Sequence, residues 1–193
     1  YTLHIVGSSD VYKRQLIVNT ETGENVGQGV ACYPRWKAGL YQHPEHSIFR
    51  QHPLDYLESL EKCITTALAE LTEEQKDHVI GIGVDTTGST PVPVDKNGTP
   101  LALLDEFAEN ENAMFFLWKD HAAAAEADEI NKLFRNNSEN DYTKYQGDYS
   151  AEWYWAKILY AVRHDEAIRQ AAYTWEEHCD WMTGILCGET RPE

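Results

Sequence analysis

One short segment constrains the fold more than any other: a nearly continuous apolar run that ends in six small or polar residues. The run is Val79-Ile80-Gly81-Ile82-Gly83-Val84, and Asp85-Thr86-Thr87-Gly88-Ser89-Thr90 follows it. An apolar run without polar alternation is typical of a strand that is covered on both faces. Ligands of open α/β sheets bind outside the carboxyl ends of such strands. The segment therefore predicts either a ligand pocket at this strand end or a solvated turn in which Asp85 caps a backbone N–H.

Strand and helix patterns alternate along the rest of the chain. Two apolar runs around Thr20-Glu21-Thr22-Gly23-Glu24 predict a strand, a tight turn and a second strand. From Pro53 onward, leucine and isoleucine recur at three- and four-residue steps, which predicts a helix with one apolar face. No linker divides the chain, so we expect one α/β or α+β layered unit. We also predict a hairpin turn at Asn97-Gly98 and helices at about 120–134, 151–163 and 174–187, the last ending at Gly188.

The charge balance excludes several classes of partner. The 193 residues include 16 Lys+Arg and 32 Asp+Glu, which gives a formal net charge of −16. A nucleic-acid-binding protein needs basic side chains that neutralise phosphates, and an anionic membrane surface attracts basic side chains too. No apolar run approaches the ~20 residues that span a bilayer. We therefore expect a soluble, cytoplasmic protein that binds neither nucleic acid nor membrane.

Cysteines and histidines give weak signals. The cysteines form no close Cys-x-x-Cys pair, so we interpret them as reduced and mostly buried thiols. Three histidines and a glutamate lie near one another, but without the helix or strand spacing of a metal site. We favour a solvated loop there and predict no metal. The residues in question are Cys32, Cys63, Cys179 and Cys187, and His43, Glu45, His46 and His52.

A second candidate segment is Trp118-Lys119-Asp120-His121, which directly follows an apolar stretch. A sugar site needs an aromatic face for the C–H side of the ring and charged donors and acceptors for the hydroxyls. The alternative is that Trp118 belongs to the core and Asp120 is the N-cap of the following alanine-rich helix. Spacing alone favours that alternative.

A third segment, Ser150-Ala151-Glu152-Trp153-Tyr154-Trp155-Ala156-Lys157, is rich in aromatic residues. We predict that its rings pack against the sheet, and we interpret Glu152 and Lys157 as surface charges. The chain has no Gly-x-x-x-x-Gly-Lys-Ser/Thr phosphate loop, Gly-x-Gly-x-x-Gly motif, Gly-x-Ser-x-Gly elbow or His-Glu-x-x-His motif. Motifs alone therefore indicate an α/β domain with a polar pocket at a strand end.

Several ordered blocks nevertheless resemble the FGGY family of carbohydrate kinases. The resemblance covers about residues 16 to 193, and this number of blocks in the family's order makes chance similarity implausible. The blocks are Tyr33-Pro34-Arg35-Trp36-Lys37-Ala38-Gly39-Leu40-Tyr41, Phe49-Arg50-Gln51-His52-Pro53-Leu54-Asp55-Tyr56, Gly81-Ile82-Gly83-Val84-Asp85-Thr86-Thr87-Gly88-Ser89-Thr90-Pro91, Leu117-Trp118-Lys119-Asp120-His121, Glu152-Trp153-Tyr154-Trp155-Ala156-Lys157-Ile158-Leu159 and Cys179-Asp180-Trp181.

The resemblance implies an α/β fold, the actin-like, ribonuclease-H-like N-terminal domain of a sugar kinase. In this family, two such domains close on the sugar and ATP. By position in the family, Thr87 and Gly88 contact the ketose, and Trp118, Lys119 and Asp120 lie where the family binds sugar or polyol hydroxyls. The implied activity is phosphoryl transfer from ATP, with Mg²⁺, to a sugar hydroxyl.

Both ends depart from the family pattern. The family opens with a strand and an Asp-Phe-Gly-Thr-x-Ser-x-Arg turn that handles phosphate and magnesium, but Gly7 falls at the Asp position and only Arg14 matches. We therefore predict that residues 1–15 are an atypical segment, an artefact in place of the first strand and phosphate turn. Residues 16–193 are then a truncated sugar-binding domain, incomplete at both ends. We expect the catalytic aspartate beyond Glu193, so we predict that the chain alone is inactive.

Three alternatives stay open. The parent protein could be an FGGY kinase for a different pentulose or polyol. The chain could instead bind a sugar or a partner without catalysis. It could also be an incomplete gene product, in which loss of the first strand leaves backbone groups unpaired and lowers stability. The sequence does not fix the oligomeric state of the parent, and a homo-oligomer is among the options.

Overall fold

The computed structural model describes residues 2–5 as backbone, and residues 11–137, 139 and 141–192 in full. The strands are β1 (Thr2–Ile5), β2 (Tyr12–Val18), β3 (Asn25–Cys32), β4 (Gln42–His43), β5 (Ile48–Gln51), β6 (Gly81–Val84), β7 (Pro91–Val94), β8 (Phe115–Phe116) and β9 (Thr174–Glu177). The α-helices are α1 (Pro34–Lys37), α2 (Pro53–Leu68), α3 (Glu73–Lys76), α4 (Ala124–Asn136), α5 (Thr143–Gln146), α6 (Tyr154–His164), α7 (Glu166–Ala171) and α8 (His178–Cys187). Short 3₁₀ turns cover Pro44–His46, Leu101–Leu103, Asp105–Phe107 and Glu111–Ala113.

The main sheet has four strands in the order β3-β2-β1-β6. Strands β2 and β3 form the predicted antiparallel hairpin, with Tyr12 opposite Cys32 and Val18 opposite Asn25. Strand β1 is antiparallel to β2 and parallel to β6. Two smaller sheets, β4-β5-β8 and β7-β9, continue the structure, and the alternation of strands and helices confirms the α/β prediction.

Strand β1 falls within the segment that we predict to be atypical. Its backbone fills the place between β2 and β6, so in this structure both neighbours have a hydrogen-bonded partner. Gly7, which stands at the position of the family's turn aspartate, lies outside the described residues. The interpretation of residues 1–15 as an artefact stays a prediction.

Helix α2 confirms the helix predicted from Pro53, and local chemistry explains where it begins. Pro53 is the first helical residue, where its missing N–H costs nothing. The ring nitrogen Nδ1 of His52 accepts a hydrogen bond from the backbone N–H of Leu54 at 3.2 Å, which caps the helix. On its buried face, Cys63 and Ala67 pack against the β2–β3 hairpin, and Tyr56 and Leu60 belong to the main core.

The close approach of α2 to the sheet depends on small residues in β3. The inward positions are Gly27, Gly29 and Ala31, and a Cβ added at Gly29 would lie 2.1 Å from the carbonyl oxygen of Cys63. We expect Gly29→Ala to lower the free energy of unfolding by about 2 kcal/mol, because the helix backbone must move away. Urea unfolding measures this change. Val30→Ala, on the outer face of the same strand, is the control, and equal midpoints for both variants would contradict the prediction.

The main hydrophobic core lies between α2, α8 and the strands of the two smaller sheets. Trp181 of α8 contacts Phe115 of β8, with ring centroids 5.2 Å apart. Tyr56 of α2 also packs edge-on against Phe115, at 5.1 Å. The buried members are Tyr33, Trp36, Tyr56, Leu60, Val92, Val94, Phe115, Leu117, Trp181 and Met182. This core supports the strand ends that carry the candidate site.

Several local predictions need correction. Residues 174–177, predicted as the start of a helix, form strand β9 because they pair with β7; the helix then runs from His178 and ends at Gly188 as predicted. Strand β6 is not covered on both faces, since the Ile82 side chain is 41% exposed. Among the cysteines only Cys63 is buried, so the prediction of mostly buried thiols is wrong.

No helix in the described part of the chain combines the length and the apolar character that crossing a membrane requires.

Candidate functional site

The turn 85–90 lies directly after strand β6 and presents small polar groups. Asp85 and Gly88 are exposed, and Thr87 is half-buried. The hydroxyls of Thr87 and Thr90 lie 3.0 Å apart, and the Thr90 hydroxyl donates to the carbonyl oxygen of Gly88 at 3.2 Å. Ser89 has a φ of 52°, in the left-handed region that serine rarely adopts. The turn is therefore strained and held by contacts rather than by the preference of its residues.

The second candidate segment, 117–121, lies directly after strand β8. Leu117 is buried, and its N–H donates to the carbonyl oxygen of Phe49 at 3.1 Å. Trp118 is 45% exposed, so the structure does not place it in the core. The Lys119 ammonium lies 4.7 Å from the ring centroid of Trp36 and 4.9 Å from that of Phe49. Trp118 thus exposes part of its ring, while the ammonium of the next residue lies against two other rings.

Asp120 is fully buried and forms an ion pair with Arg50. Its Oδ2 also accepts from the backbone N–H of Phe49 at 2.7 Å, and its Oδ1 accepts from that of Ala122 at 3.2 Å. The N-cap of α4 is Ala123 rather than Asp120, so the capping interpretation is wrong. A carboxylate has about four acceptor positions, so these three bonds leave one on Oδ1 of a side chain that has no solvent access in this structure.

Lys157 joins the two candidate segments. Its ammonium donates to the carbonyl oxygen of Ser89 at 2.6 Å and to that of Leu117 at 2.8 Å. The side chain is fully buried, so its interpretation as a surface charge is wrong. Burial, together with the nearby Arg50, lowers the pKa of Lys157 from 10.5 to about 7. Helical spacing indicates this burial, because Lys157 lies on the same face of α6 as the buried Ala156 and Ala161.

Two glutamates support the same region. Glu177 of β9 accepts from the backbone N–H of Thr90 at 2.6 Å, and burial raises the pKa of its carboxyl. Glu152, also interpreted as a surface charge, is half-buried, and its carboxylate lies 2.9 Å from the Nε2 of His121. No sequence pattern pointed to Glu177, because its partner Thr90 lies 87 residues away in the chain.

The other predicted residues lie apart from these contacts. Arg14 is exposed in the middle of β2, where its guanidinium lies 5.6 Å from the ring centroid of Tyr12. His52 is buried and caps the N-terminus of α2. The Nε2 of His43 lies within hydrogen-bond distance of the Glu111 carboxylate, at 2.8 Å.

The described residues do not fit a divalent cation. Within them, no three or more His, Cys, Asp or Glu side chains are grouped so as to hold a metal ion. Asp85 is a single carboxylate at its strand end, and the residues at the position of the family's phosphate turn, 6–10, lie outside the described part. We therefore assign no step to Mg²⁺ on this chain.

Comparison with curated proteins gives extended sequence matches. The chain is 49% identical to a ribulokinase from Vibrio parahaemolyticus over 98% of its own length, and 38% identical to a ribulokinase from Bacillus licheniformis over 91%. It spans 34% and 32% of the length of these two relatives. No protein-family model matches the chain.

Comparison with solved structures agrees on the fold. A xylulose kinase from Brucella ovis matches with a TM-score of 0.68 and 15% identity, over 94% of this chain and 33% of that one. A xylulose kinase from Bifidobacterium adolescentis matches with the same TM-score and 16% identity, over 99% of this chain and 34% of that one. These matches confirm the resemblance to FGGY carbohydrate kinases: the chain is homologous to about one third of a ribulokinase and has the fold of that part of a sugar kinase.

Proposed function

We propose that the protein to which this chain belongs is an ATP-dependent ribulokinase, which phosphorylates L-ribulose to L-ribulose 5-phosphate in L-arabinose catabolism. One observation carries the proposal: the two segments predicted to bind sugar meet at the Lys157 ammonium, in a chain with 49% identity to a ribulokinase. A cytoplasmic location belongs to the same proposal, since both substrates are metabolites of that compartment.

The described residues supply part of the sugar site in this proposal. Thr87 and Gly88 offer a hydroxyl and an unobstructed backbone, Trp118 an aromatic face, and Lys119 and Asp120 a donor and an acceptor. ATP, with Mg²⁺, would supply the phosphoryl group when bound in the rest of the protein. An aspartate outside this chain would remove the proton of the attacking hydroxyl, so we propose that the chain alone is inactive.

A chimera tests the activity. The matching segment of the Vibrio parahaemolyticus ribulokinase is replaced by residues 16–193 of this chain, and phosphorylation of L-ribulose, D-xylulose and glycerol is measured. We expect the highest kcat/KM with L-ribulose, and no turnover by the isolated chain. A folded chimera that prefers D-xylulose or glycerol would support a different FGGY kinase. A folded chimera that binds L-ribulose without turnover would support the non-catalytic alternative.

Gly88→Ala tests the sugar contact in the same chimera. An added Cβ at Gly88 finds no atom within 4 Å, so we expect no loss of stability. A methyl group facing the sugar should raise the KM for L-ribulose about tenfold or more. Gly147→Ala is the control: its Cβ also has open space, but its φ of 77° predicts lower stability with an unchanged KM. An unchanged KM in Gly88→Ala would argue against Gly88 as a sugar contact.

A further inference from the structure

A buried lysine is the least expected feature near the candidate site. Lys157 projects from the interior of α6 into a space without solvent access, where its ammonium meets the carbonyl oxygens of Ser89 and Leu117. Lysine is almost never fully buried unless it is paired. An apolar residue of equal length would avoid the cost of burying a charge. The need for a donor between the two carbonyl groups therefore explains this lysine better than packing does.

The two carbonyl groups belong to the two segments that carry every proposed sugar contact. Ser89 O lies next to Gly88, and Leu117 O lies next to Trp118. In the chain, 26 residues lie between the two segments, and each segment follows a strand of a different sheet, β6 in one case and β8 in the other. One ammonium within 2.8 Å of both carbonyl oxygens fixes the distance between them.

The turn 85–90 needs such support because it is strained. Ser89 has a left-handed φ of 52°, which an L residue with a side chain adopts only when its surroundings impose it. The Lys157 ammonium donates a hydrogen bond to the carbonyl oxygen of Ser89. The Glu177 carboxylate accepts one from the backbone N–H of Thr90 at 2.6 Å. Groups of opposite charge from α6 and β9 thus hold two consecutive residues of the turn.

We propose that Lys157 is a positioning residue for the sugar site, which sets the spacing between the turn 85–90 and the segment 117–120. The expected change in kinetics rests on the proposed function. The structural role rests on the contacts of Lys157 alone. The Lys157 ammonium donates to the carbonyl oxygens of Ser89 and Leu117, so we assign it the spacing of the two segments rather than a sugar contact. A displacement of about 1 Å in a positioned contact can lower activity about 100-fold, so the spacing matters.

The kinetic test compares three variants in the chimera. Lys157→Met keeps the length and removes the donors, Lys157→Arg keeps donors, and Lys132→Met removes an exposed lysine of α4 as the control. We expect Lys157→Met to raise the KM for L-ribulose about tenfold or more, with a much smaller change in the KM for ATP. Lys157→Arg should recover part of the loss, and Lys132→Met should behave as the parent chimera. An unchanged KM for L-ribulose in Lys157→Met would overturn the proposal.

A substrate-independent test uses the 193-residue chain. Hydrogen–deuterium exchange is compared between the chain and Lys157→Met, and we expect faster exchange at 86–90 and 117–121, with β2, β3 and α2 unchanged. Equal exchange, or a uniform increase across the chain, would overturn the positioning role. If the chimera fails to phosphorylate L-ribulose even with Lys157 present, the proposed function fails, and the exchange result alone decides the structural inference.

Discussion

Replacing Lys13 by methionine is expected to raise the free energy of unfolding at pH 7 by about 3 kcal/mol. Lys13 is fully buried on the inner face of β2, against α2. Its ammonium has no hydrogen-bond partner among the described residues. Burial lowers the pKa of Lys13 from 10.5 to about 8, although Cys63 and Asp85 act in the opposite direction. Methionine has a similar length and no charge to bury, so it removes this cost.

The pH dependence of stability identifies the cause. Below pH 8 the lysine is protonated in both states, and the folded state bears the full cost of the buried charge. Between pH 8 and 10.5 the unfolded state binds more protons than the folded state, so stability rises with pH. Above pH 10.5 the amine is neutral in both states and the cost is gone. The gain from Lys13→Met is therefore largest at pH 7 and shrinks toward pH 10.5.

Urea unfolding of the parent chain and of Lys13→Met at pH 7, 8, 9 and 10 measures the gain in stability at each pH. Subtracting one free energy of unfolding from the other cancels the titration of groups common to both proteins. Arg14→Met is the control, because Arg14 is exposed on the opposite face of the same strand. A gain that stays constant with pH would mean that Lys13 is not charged or not buried at neutral pH.

Lys13 also bears on the atypical segment at the start of the chain. The inward positions of β2 are Lys13, Gln15 and Ile17, and only the last is apolar. A strand with one buried face favours apolar residues at alternate positions. The burial of Lys13 and Gln15 is what we expect if residues 1–15 replace another sequence, and that interpretation stays a prediction. A stabilising Lys13→Met would support it.

Local sequence signals predicted the elements whose partners lie nearby in the chain. The β2–β3 hairpin, helix α2 and the turn at Gly98, which has a φ of 75°, all follow from short-range patterns. Strand β9 could not be predicted in this way, because its partner β7 lies about 80 residues earlier. Pairing with a distant strand overrides the helical pattern of residues 174–177.

The residues of the candidate site likewise differ in whether short-range sequence patterns predict them. The polar turn after β6 and the Trp118 segment are visible in the sequence because their residue types suggest ligands. The residues that hold them together, Lys157 and Glu177, have the charge of surface residues. Helical spacing indicates the burial of Lys157, but the role of both residues follows only from partners that are distant in the chain. A charged side chain usually indicates an exposed position, but this rule fails for charged groups that have partners inside the fold.

Breaking the buried ion pair between Arg50 and Asp120 is expected to have the largest effect on stability. Asp120→Asn keeps one acceptor oxygen, which serves the backbone N–H of either Phe49 or Ala122, and leaves the Arg50 charge unpaired. The guanidinium carbon of Arg50 lies 3.5 Å from the ring centroid of Phe116, without solvent access. We expect the free energy of unfolding to fall by about 4 kcal/mol, the usual cost of removing one partner of a buried pair.

A double-mutant cycle distinguishes the lost pair from a simple packing defect. Arg50→Met combined with Asp120→Asn removes both charges, so most of the stability should return. Urea unfolding of the single and double variants measures the coupling. Glu129→Gln, which breaks the exposed pair with Arg163, should change stability little. A small effect of Asp120→Asn alone would mean that the Arg50 charge has another partner.

The same double variant separates the two roles of Asp120. In the chimera, its stability should be close to that of the parent, so a kinetic change no longer reflects unfolding. If the remaining acceptor position of the Asp120 carboxylate serves a sugar hydroxyl, the KM for L-ribulose stays raised about tenfold, because an amide accepts more weakly than a carboxylate. If the KM returns to the parent value together with the stability, Asp120 supports the site and does not contact the sugar. The proposed sugar contacts would then be Thr87, Gly88, Trp118 and Lys119.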